Sequence, residues 1–545
     1  MFEKRVTGLF WFFVLVTGIV IMKIYILTVS QGDMYSQKAV SQQEYIFDIA
    51  RRRGIIYDCN LKELTYDKDG YAALVEPAFF QDKNALLELL TSYADEKPSD
   101  IDEKIKKGKP FTIRLWKIPD EQPGITVIKT REQDNSGLLS HIIGTTNSDG
   151  VGVSGLEKAF DRFLSQSGGR IYGVTSVNAG NIQLKGTPVS LFSEHYYDES
   201  GIITTIDKDI QEVAEKAADS YVAKGAILVS DVKTGEIKAM VSRPNFDKDH
   251  LGDYLNSKNG ELVNRCLSQY NLGSIFKIVV TSAALESGSD IETRKHFCNG
   301  EIIVDGRSFS CHKKNGHGVV GLDDAFKSSC NPFFIDAALR LGLNPIVDMI
   351  DKYGLNERTT LAEGMVSGKN SFPVHLKDAP DFLVANTAIG QGNILITPLD
   401  VLSIINTVAN NGVQPKLSLV KGFLNKDGSY VPYEAKTEDR KVISAKTAQR
   451  IQQLMVETCE SGTGTTATPG EGGAGGKTAS AETGWKENGD PVTHAWFAGF
   501  YPAENPQYSI VVLVENGKSG SIAAAPAFRQ IANRIADIKD IDNVG

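Results

Sequence analysis

The chain opens on its longest apolar run. Residues 9–29 read LFWFFVLVTGIVIMKIYILTV, broken by one charge, Lys23. As a helix this run rises roughly 30 Å, the thickness of a bilayer's hydrocarbon core. Lys23 lies near one end, where its stem carries the amine to the interface. Lys4 and Arg5 sit in the leading tail, residues 1–8, and basic residues on a short tail hold it in the cytoplasm. The pattern predicts a transmembrane anchor over 9–29, with the rest of the chain outside the cytoplasm. No small-x-small cleavage site follows the run, so it reads as an uncleaved anchor rather than a signal peptide.

Beyond residue 30 the periods change. Residues 31–60 are polar, then basic, ending in ARRRGIIYDCN. Residues 61–200 mix short strands and helices, among them a charged helix within 95–110 and GVSGLEKAFDRFL (152–164), apolar at helical spacing behind a Gly-Ser cap. At 201 the texture shifts. GIITTIDKDIQEVAEKAADSYV predicts a strand and an amphipathic helix, and KGAILVSDVKTGEIKAMVSRP (224–244) a β-hairpin. Helical segments fill the middle, and a Gly/Thr-rich loop (461–476) leads back to strands in GGKTASAETG, HAWFAGFYP and YSIVVLVEN. APAFRQIANRIADI (526–539) is a closing helix. The predicted class is α+β, an antiparallel sheet built from both ends of segment 201–545 and flanked by helices. An elongated pedestal or dimerisation-like domain over 30–200 precedes it. The length, 545 residues, exceeds one ordinary core and agrees with several domains. The net charge of −9 argues against nucleic acid as a partner.

Three short words carry chemistry only in combination. In NLGSIFKIVVTSAALESG (271–288), Ser274 and Lys277 lie three apart on one face of a predicted helix. An alcohol beside an amine in apolar surroundings is a nucleophile with its base, because burial favours the neutral amine. Alone, the pair reads better as a helix cap with a solvated lysine. KSSCNPFF (327–334) holds Ser329 and Asn331, which either aim a hydroxyl and an amide at one cleft or form a turn before Pro332. GGKTAS (475–480) holds Lys477 and Thr478 in a glycine-bracketed strand, where backbone approaches a ligand closely. An edge strand guarded by a lysine is the plain alternative.

S-x-x-K, S-x-N and K-T in this order make up the motif set of serine β-lactamases and penicillin-binding proteins. RRRGIIYD (51–58), the G-x-x-G-L-E element at 152–157, TTIDKDIQ (204–211), VNRCLSQYNLGSIFK (263–277) and AIGQGNILITPLDV (388–401) add to it. On these words the chain resembles the class B penicillin-binding proteins, peptidoglycan D,D-transpeptidases, over nearly its whole length. The resemblance implies that Ser274 attacks the penultimate D-Ala carbonyl of a stem peptide, forming an acyl-enzyme, and is acylated by β-lactams. Lys277 takes the serine proton. Ser329, with Asn331 and Lys477, relays a proton to the leaving D-Ala. Thr478 and Ser480 hold the terminal carboxylate, and the N–H groups of Ser274 and Ser480 form an oxyanion hole. The chemistry requires no cofactor. The resemblance also implies a polytopic SEDS-family glycan polymerase as partner, contacted through residues 9–60.

Three departures stand out. Leu272-Gly273-Ser274-Ile275 replaces Pro-Gly-Ser-Thr, Ala479 replaces the glycine of K-T-G, and Ser480 replaces a threonine. The Ala479 methyl is expected to narrow the cleft, and Ala479→Gly to speed acylation by penicillins. Two other readings stay open. One is a β-lactam sensor or hydrolase on the same fold, which would lack the long pedestal and need a deacylating base. The other is a catalytically silent scaffold for wall synthesis, supported by Ala479 alone.

Cys298, Cys311, His317 and Cys330 form C-x12-C-x5-H-x12-C, a Cys3His set suited to tetrahedral zinc, with His312 as a competing ligand. Four filled positions make such a zinc structural. Because Cys330 lies between Ser329 and Asn331, a metal there would fix the loop that aims both. A Cys298–Cys311 disulfide in an exported domain and unlinked buried thiols remain alternatives.

Overall fold

A computed structural model describes residues 2–35, 44–66, 68–132, 137–178, 183–184, 186–372, 379–433, 439–487 and 489–542. Part of the polar stretch expected at 31–60, residues 36–43, lies outside them. The chain forms two compact units. One comprises residues 1–53, 68–132 and 168–198, the other 54–67, 133–167 and 199–545. Residues 54–67 and 133–167, read from sequence as pedestal, therefore fold with 199–545.

The first unit begins with the helix Phe2–Tyr25, which continues as a π-turn to Ser30. Lys4–Ser30 is long and apolar enough to cross a membrane, and none of it is buried. Two three-stranded antiparallel sheets follow: Glu44–Arg52, Gly169–Ser176 and Ser190–Glu194 in one, and Lys68–Val75 between Phe111–Leu115 and Ile125–Glu132 in the other. The charged stretch at 95–110 is the helix Pro98–Lys107, opened by proline and closed by Gly108 in the left-handed conformation. Its Ile101 and Ile105, one turn apart, are buried with Ala73 and Val75 of the second sheet.

The second unit is built on a five-stranded antiparallel sheet. Its order is Ile237–Arg243, Gly225–Asp231, Tyr508–Val514, Asp490–Tyr501, Gly475–Glu487. Strands from both ends of the segment thus interleave, the α+β layout the sequence predicts. Side chains alternate between the faces. Ile227, Phe497 and Val512 pack with Ala214 and Phe528 of the helices Lys208–Tyr221 and Ala525–Asp542. Leu228, Trp496 and Val511 share the opposite core with Ile278 and Ile405 of the helices Lys277–Glu286 and Pro398–Ala409. The Asp207 carboxylate accepts from the N–H groups of Asp209 and Ile210, which fixes the start of its helix. GVSGLEKAFDRFL forms two short helices, Gly155–Ala159 and Asp161–Gln166. Among the described residues the last strand, Gly475–Glu487, pairs on one side only, and its open edge carries the candidate site.

Candidate active site

Ser274 stands in a 3-10 turn, Gly273–Phe276, that feeds the buried helix Lys277–Glu286. The turn is held from three directions. Gly273 N–H donates to the Gly390 carbonyl at 2.9 Å. Trp496 Nε1 donates to the Asn271 carbonyl at 2.9 Å. Gly273, at φ +63°, packs so close to the edge strand that a Cβ there would lie 3.2 Å from Ala481 Cβ and 3.4 Å from the Ser480 carbonyl oxygen. Gly390, at φ +68°, has less room still, its Cβ position being 2.0 Å from the Gly273 carbonyl. Glycine alone fits at 390 and is favoured at 273 by the positive φ and the close strand. Ser274 is left half-exposed beside positions 480–481. Among the described residues its hydroxyl makes no hydrogen bond, and in ligand-free sites such bonds commonly tighten only around the substrate.

The Lys277 amine, fully buried, donates to the Ser329 carbonyl (2.8 Å), Asn331 Oδ1 (2.8 Å) and Ser329 Oγ (3.2 Å). The Lys477 amine, equally buried, donates to Ser329 Oγ (2.9 Å) and the Thr478 carbonyl (3.1 Å). Lys477 therefore points inward and does not guard the sheet edge. Phe334 lies 5.2 Å from the Lys277 amine and Phe326 5.9 Å from that of Lys477, ring faces that offset part of the lost hydration. Desolvation pushes Lys277 down to about 7. Desolvation, reinforced by the Lys277 charge, pushes Lys477 well below the usual lysine range. Near neutral pH the pair thus supplies a free amine that accepts a proton.

Ser329 has φ +54°. Its N–H donates to the Phe326 carbonyl at 3.1 Å and the Cys330 N–H to the Ala325 carbonyl at 2.8 Å, a Schellman closure of the helix Leu322–Lys327 in which glycine usually takes the left-handed place. A β-carbon in that conformation costs about 1 kcal/mol. Ser329→Gly is accordingly expected to be more stable than Ser329→Ala by about 1 kcal/mol, read from urea midpoints. Equal midpoints would show that the turn holds no strain. The next helix starts at once, with Asn331 and Pro332 in its first turn, and Asn331 Nδ2 donates to the Ser310 carbonyl at 3.0 Å.

On the edge strand, Thr478 Oγ1 lies 2.7 Å from Thr463 Oγ1. Sequence reasoning passes over Thr463, whose only signal is its place in the Gly/Thr-rich loop. Ser480 is exposed, and its hydroxyl accepts from Gly520 N–H at 3.4 Å. Ala479 does not line the cleft. It is 2% exposed, beside Trp496 in the core, so the faster acylation expected of Ala479→Gly loses its basis. That substitution is instead expected to cost about 1 kcal/mol of unfolding free energy, from a lost buried methyl and a freer backbone.

Cys298, Cys311, His317 and Cys330 converge, their donor atoms all within 4.8 Å of one another. His317 Nδ1 lies 3.5 Å from Cys311 Sγ and 3.6 Å from Cys298 Sγ. A tetrahedral zinc with ordinary bond lengths sets sulfur and nitrogen about 3.5 Å apart. His312 is at 4.0 Å from Cys311 Sγ and stands outside the set. All six cysteines are free thiols. Hydrogen bonding between Cys311 and Cys330 draws Cys311 toward the thiolate and holds Cys330 protonated, so the two titrate as a pair.

The family model of the penicillin binding protein transpeptidase domain matches residues 225–533. Stage V sporulation protein D of Bacillus subtilis (strain 168) is 27% identical over 96% of this chain and 84% of its own length. Peptidoglycan D,D-transpeptidase PbpA of Mycolicibacterium smegmatis is 26% identical over 70% of this chain and 79% of its own. A solved structure, described as "Structural coordination of polymerization and crosslinking by a peptidoglycan synthase complex", is similar with a TM-score of 0.70 and 25% identity, covering 97% of this chain and 98% of that one.

Proposed function

This chain belongs to the class B penicillin-binding proteins, the peptidoglycan D,D-transpeptidases, and on that premise we propose a role for each group in its cleft. Ser274 Oγ attacks the penultimate D-Ala carbonyl of a stem peptide. Lys277 takes the hydroxyl proton, and the N–H groups of Ser274 and Ser480 receive the developing oxyanion. The C–N bond to the terminal D-Ala breaks, and Ser329, fed by the two lysines and held by Asn331, protonates the departing amine. Thr478 and Ser480 bind the terminal carboxylate. A second stem peptide's amine then attacks the acyl-enzyme, returning the proton to Ser274 and leaving an amide cross-link. The observation that carries this reading is two buried amines, both depressed in pKa, hydrogen-bonded to the Ser329 hydroxyl. An amine in that state is a competent general base near neutral pH.

Cys298, Cys311, His317 and Cys330 would hold a structural zinc, a fit supported by their donor types and spacing. The zinc would anchor Cys330 between Ser329 and Asn331. The catalytic segment lies outside the cytoplasm on the anchor near 9–29. The span 9–60 contacts a glycan polymerase of the SEDS type, a proposal supported by the similarity to a synthase complex along nearly the whole chain.

Intact-mass spectrometry after penicillin treatment, with the adduct mapped, tests the assignment. One stable adduct on Ser274, absent from Ser274→Ala, is expected. An adduct on another residue defeats it, and rapid loss of the adduct would favour a hydrolase instead.

A further inference from the structure

The proposed order of contacts gives the donor substrate a direction. Its terminal carboxylate lies at Thr478 and its scissile carbonyl at Ser480, so the remainder of the molecule runs along the edge strand toward its 482–485 end. The strand keeps its register to Glu482 and shifts it before Lys486, so Trp485 stands in an irregular stretch at most about 17 Å along the strand from Ser480, within the reach of a short extended peptide. Beyond it lies a cavity of about 840 Å³ whose walls include Asn271, three residues before Ser274, and Trp485. This volume is in the range of small-ligand sites.

The lining identifies the ligand. Trp485 is 77% exposed, an indole face offered to solvent at the cavity's edge. Gln269, Asn271 and Asn393 contribute amides, and Thr483 a hydroxyl. His494 also lines the cavity, and its Nδ1 is buried without a hydrogen-bond partner among the described residues. The Glu515 carboxylate is already matched. It accepts from Arg265 Nε and from the Tyr270 hydroxyl, each at 2.7 Å, and lies 3.4 Å from the Lys224 amine. Its charge is therefore not free for a cationic peptide side chain. Beside the exposed Lys486 and the ion-paired Lys224, the amides, the hydroxyl and the open indole face suit a pyranose ring, whose C–H bonds lie flat on the aromatic system while its hydroxyl and acetamido groups take the hydrogen bonds.

We propose that this cavity binds the sugar end of the donor substrate, an N-acetylated amino sugar carrying the stem peptide. The proposal rests on the transpeptidase reading above. It makes the enzyme select peptide that is attached to glycan.

Calorimetric titration of the full chain in detergent compares three probes: a muramyl peptide, the same stem peptide without sugar, and an N-acetylglucosamine oligomer. The muramyl peptide is expected to bind at least 10-fold tighter than the bare peptide. Trp485→Ala is expected to erase that difference and Trp485→Phe to keep most of it, whereas Trp116→Ala, on the other unit, leaves it whole. Circular dichroism and the thermal midpoint report that each variant is folded. Equal affinities in the parent overturn the proposal, as does a difference that survives Trp485→Ala. Absence of a penicillin adduct on Ser274 of the parent overturns the transpeptidase reading, and this inference with it. A normal adduct with no preference for sugar overturns the inference alone.

Discussion

Lys277→Met is expected to slow acylation of Ser274 by penicillin about 10³- to 10⁴-fold, the range of a lost general base acting in a coupled site. Methionine keeps much of the buried stem and removes the amine, so the loss reports proton transfer more than packing. The parent enzyme should also lose acylation rate as pH falls through about 7, where Lys277 gains its proton, while the variant's residual rate lacks that limb. Stability carries an independent sign. Lys277 has a folded pKa below its unfolded one, so between about 7 and the ordinary lysine value the unfolded chain binds the extra proton. Folding stability then rises with pH through that window and is lost as pH falls through the folded pKa. Lys477 is depressed too and adds a slope of the same sign; because the Lys277 charge is part of its cause, the variant eases that shift as well, and the parent-minus-variant difference reports the coupled pair. Stopped-flow labelling and urea unfolding across pH measure both effects. A variant acylated within tenfold of the parent would remove Lys277 from the role of base.

Removal of metal is the second large effect. Protein purified without chelator is expected to hold about one zinc per chain, and stripping it should lower the thermal midpoint by about 10 °C and slow acylation by about 10- to 100-fold. The route from metal to rate is short. Cys330 would be one ligand, its N–H closes the turn that keeps Ser329 at φ +54°, and Asn331 follows it. Backbone hydrogen bonds from Ser329 and Cys330 close the turn itself, and the metal would pin that turn against the lysine amines. Cys298→Ser should reproduce the loss. Zinc well below one per chain in protein with intact thiols, or a chelated enzyme with an unchanged midpoint and rate, would end this account.

Much of this site is legible in the sequence alone, because its chemistry sits in words of fixed order. S-x-x-K, S-x-N and K-T name the groups that meet at Ser329, and the cysteine spacing names a cluster whose donor atoms do converge. The sheet is legible from period-2 runs at both ends of the segment. What escapes depends on contacts between distant stretches. The Ala479 methyl lies on the same side of the strand as the Lys477 side chain and is buried beside Trp496, a parity set by the strand's register with Asp490–Tyr501. Thr463 reaches Thr478 only through the path of its loop. Residues 54–67 and 133–167 join the larger unit through pairings such as Ile55–Tyr57 with Gly201–Thr204, distant in sequence. The helical pattern at 152–164 continues across a break at Phe160, which periodicity alone does not reveal.

A methyl at position 390 would strike the Gly273 carbonyl and displace the backbone that carries Ser274. Antibiotic pressure rewards alleles that refuse the drug while still serving the cell wall. On the proposed role of Ser274, inhibitor and natural peptide would depend on the same hydroxyl in the same place, so an allele at 390 would forfeit both.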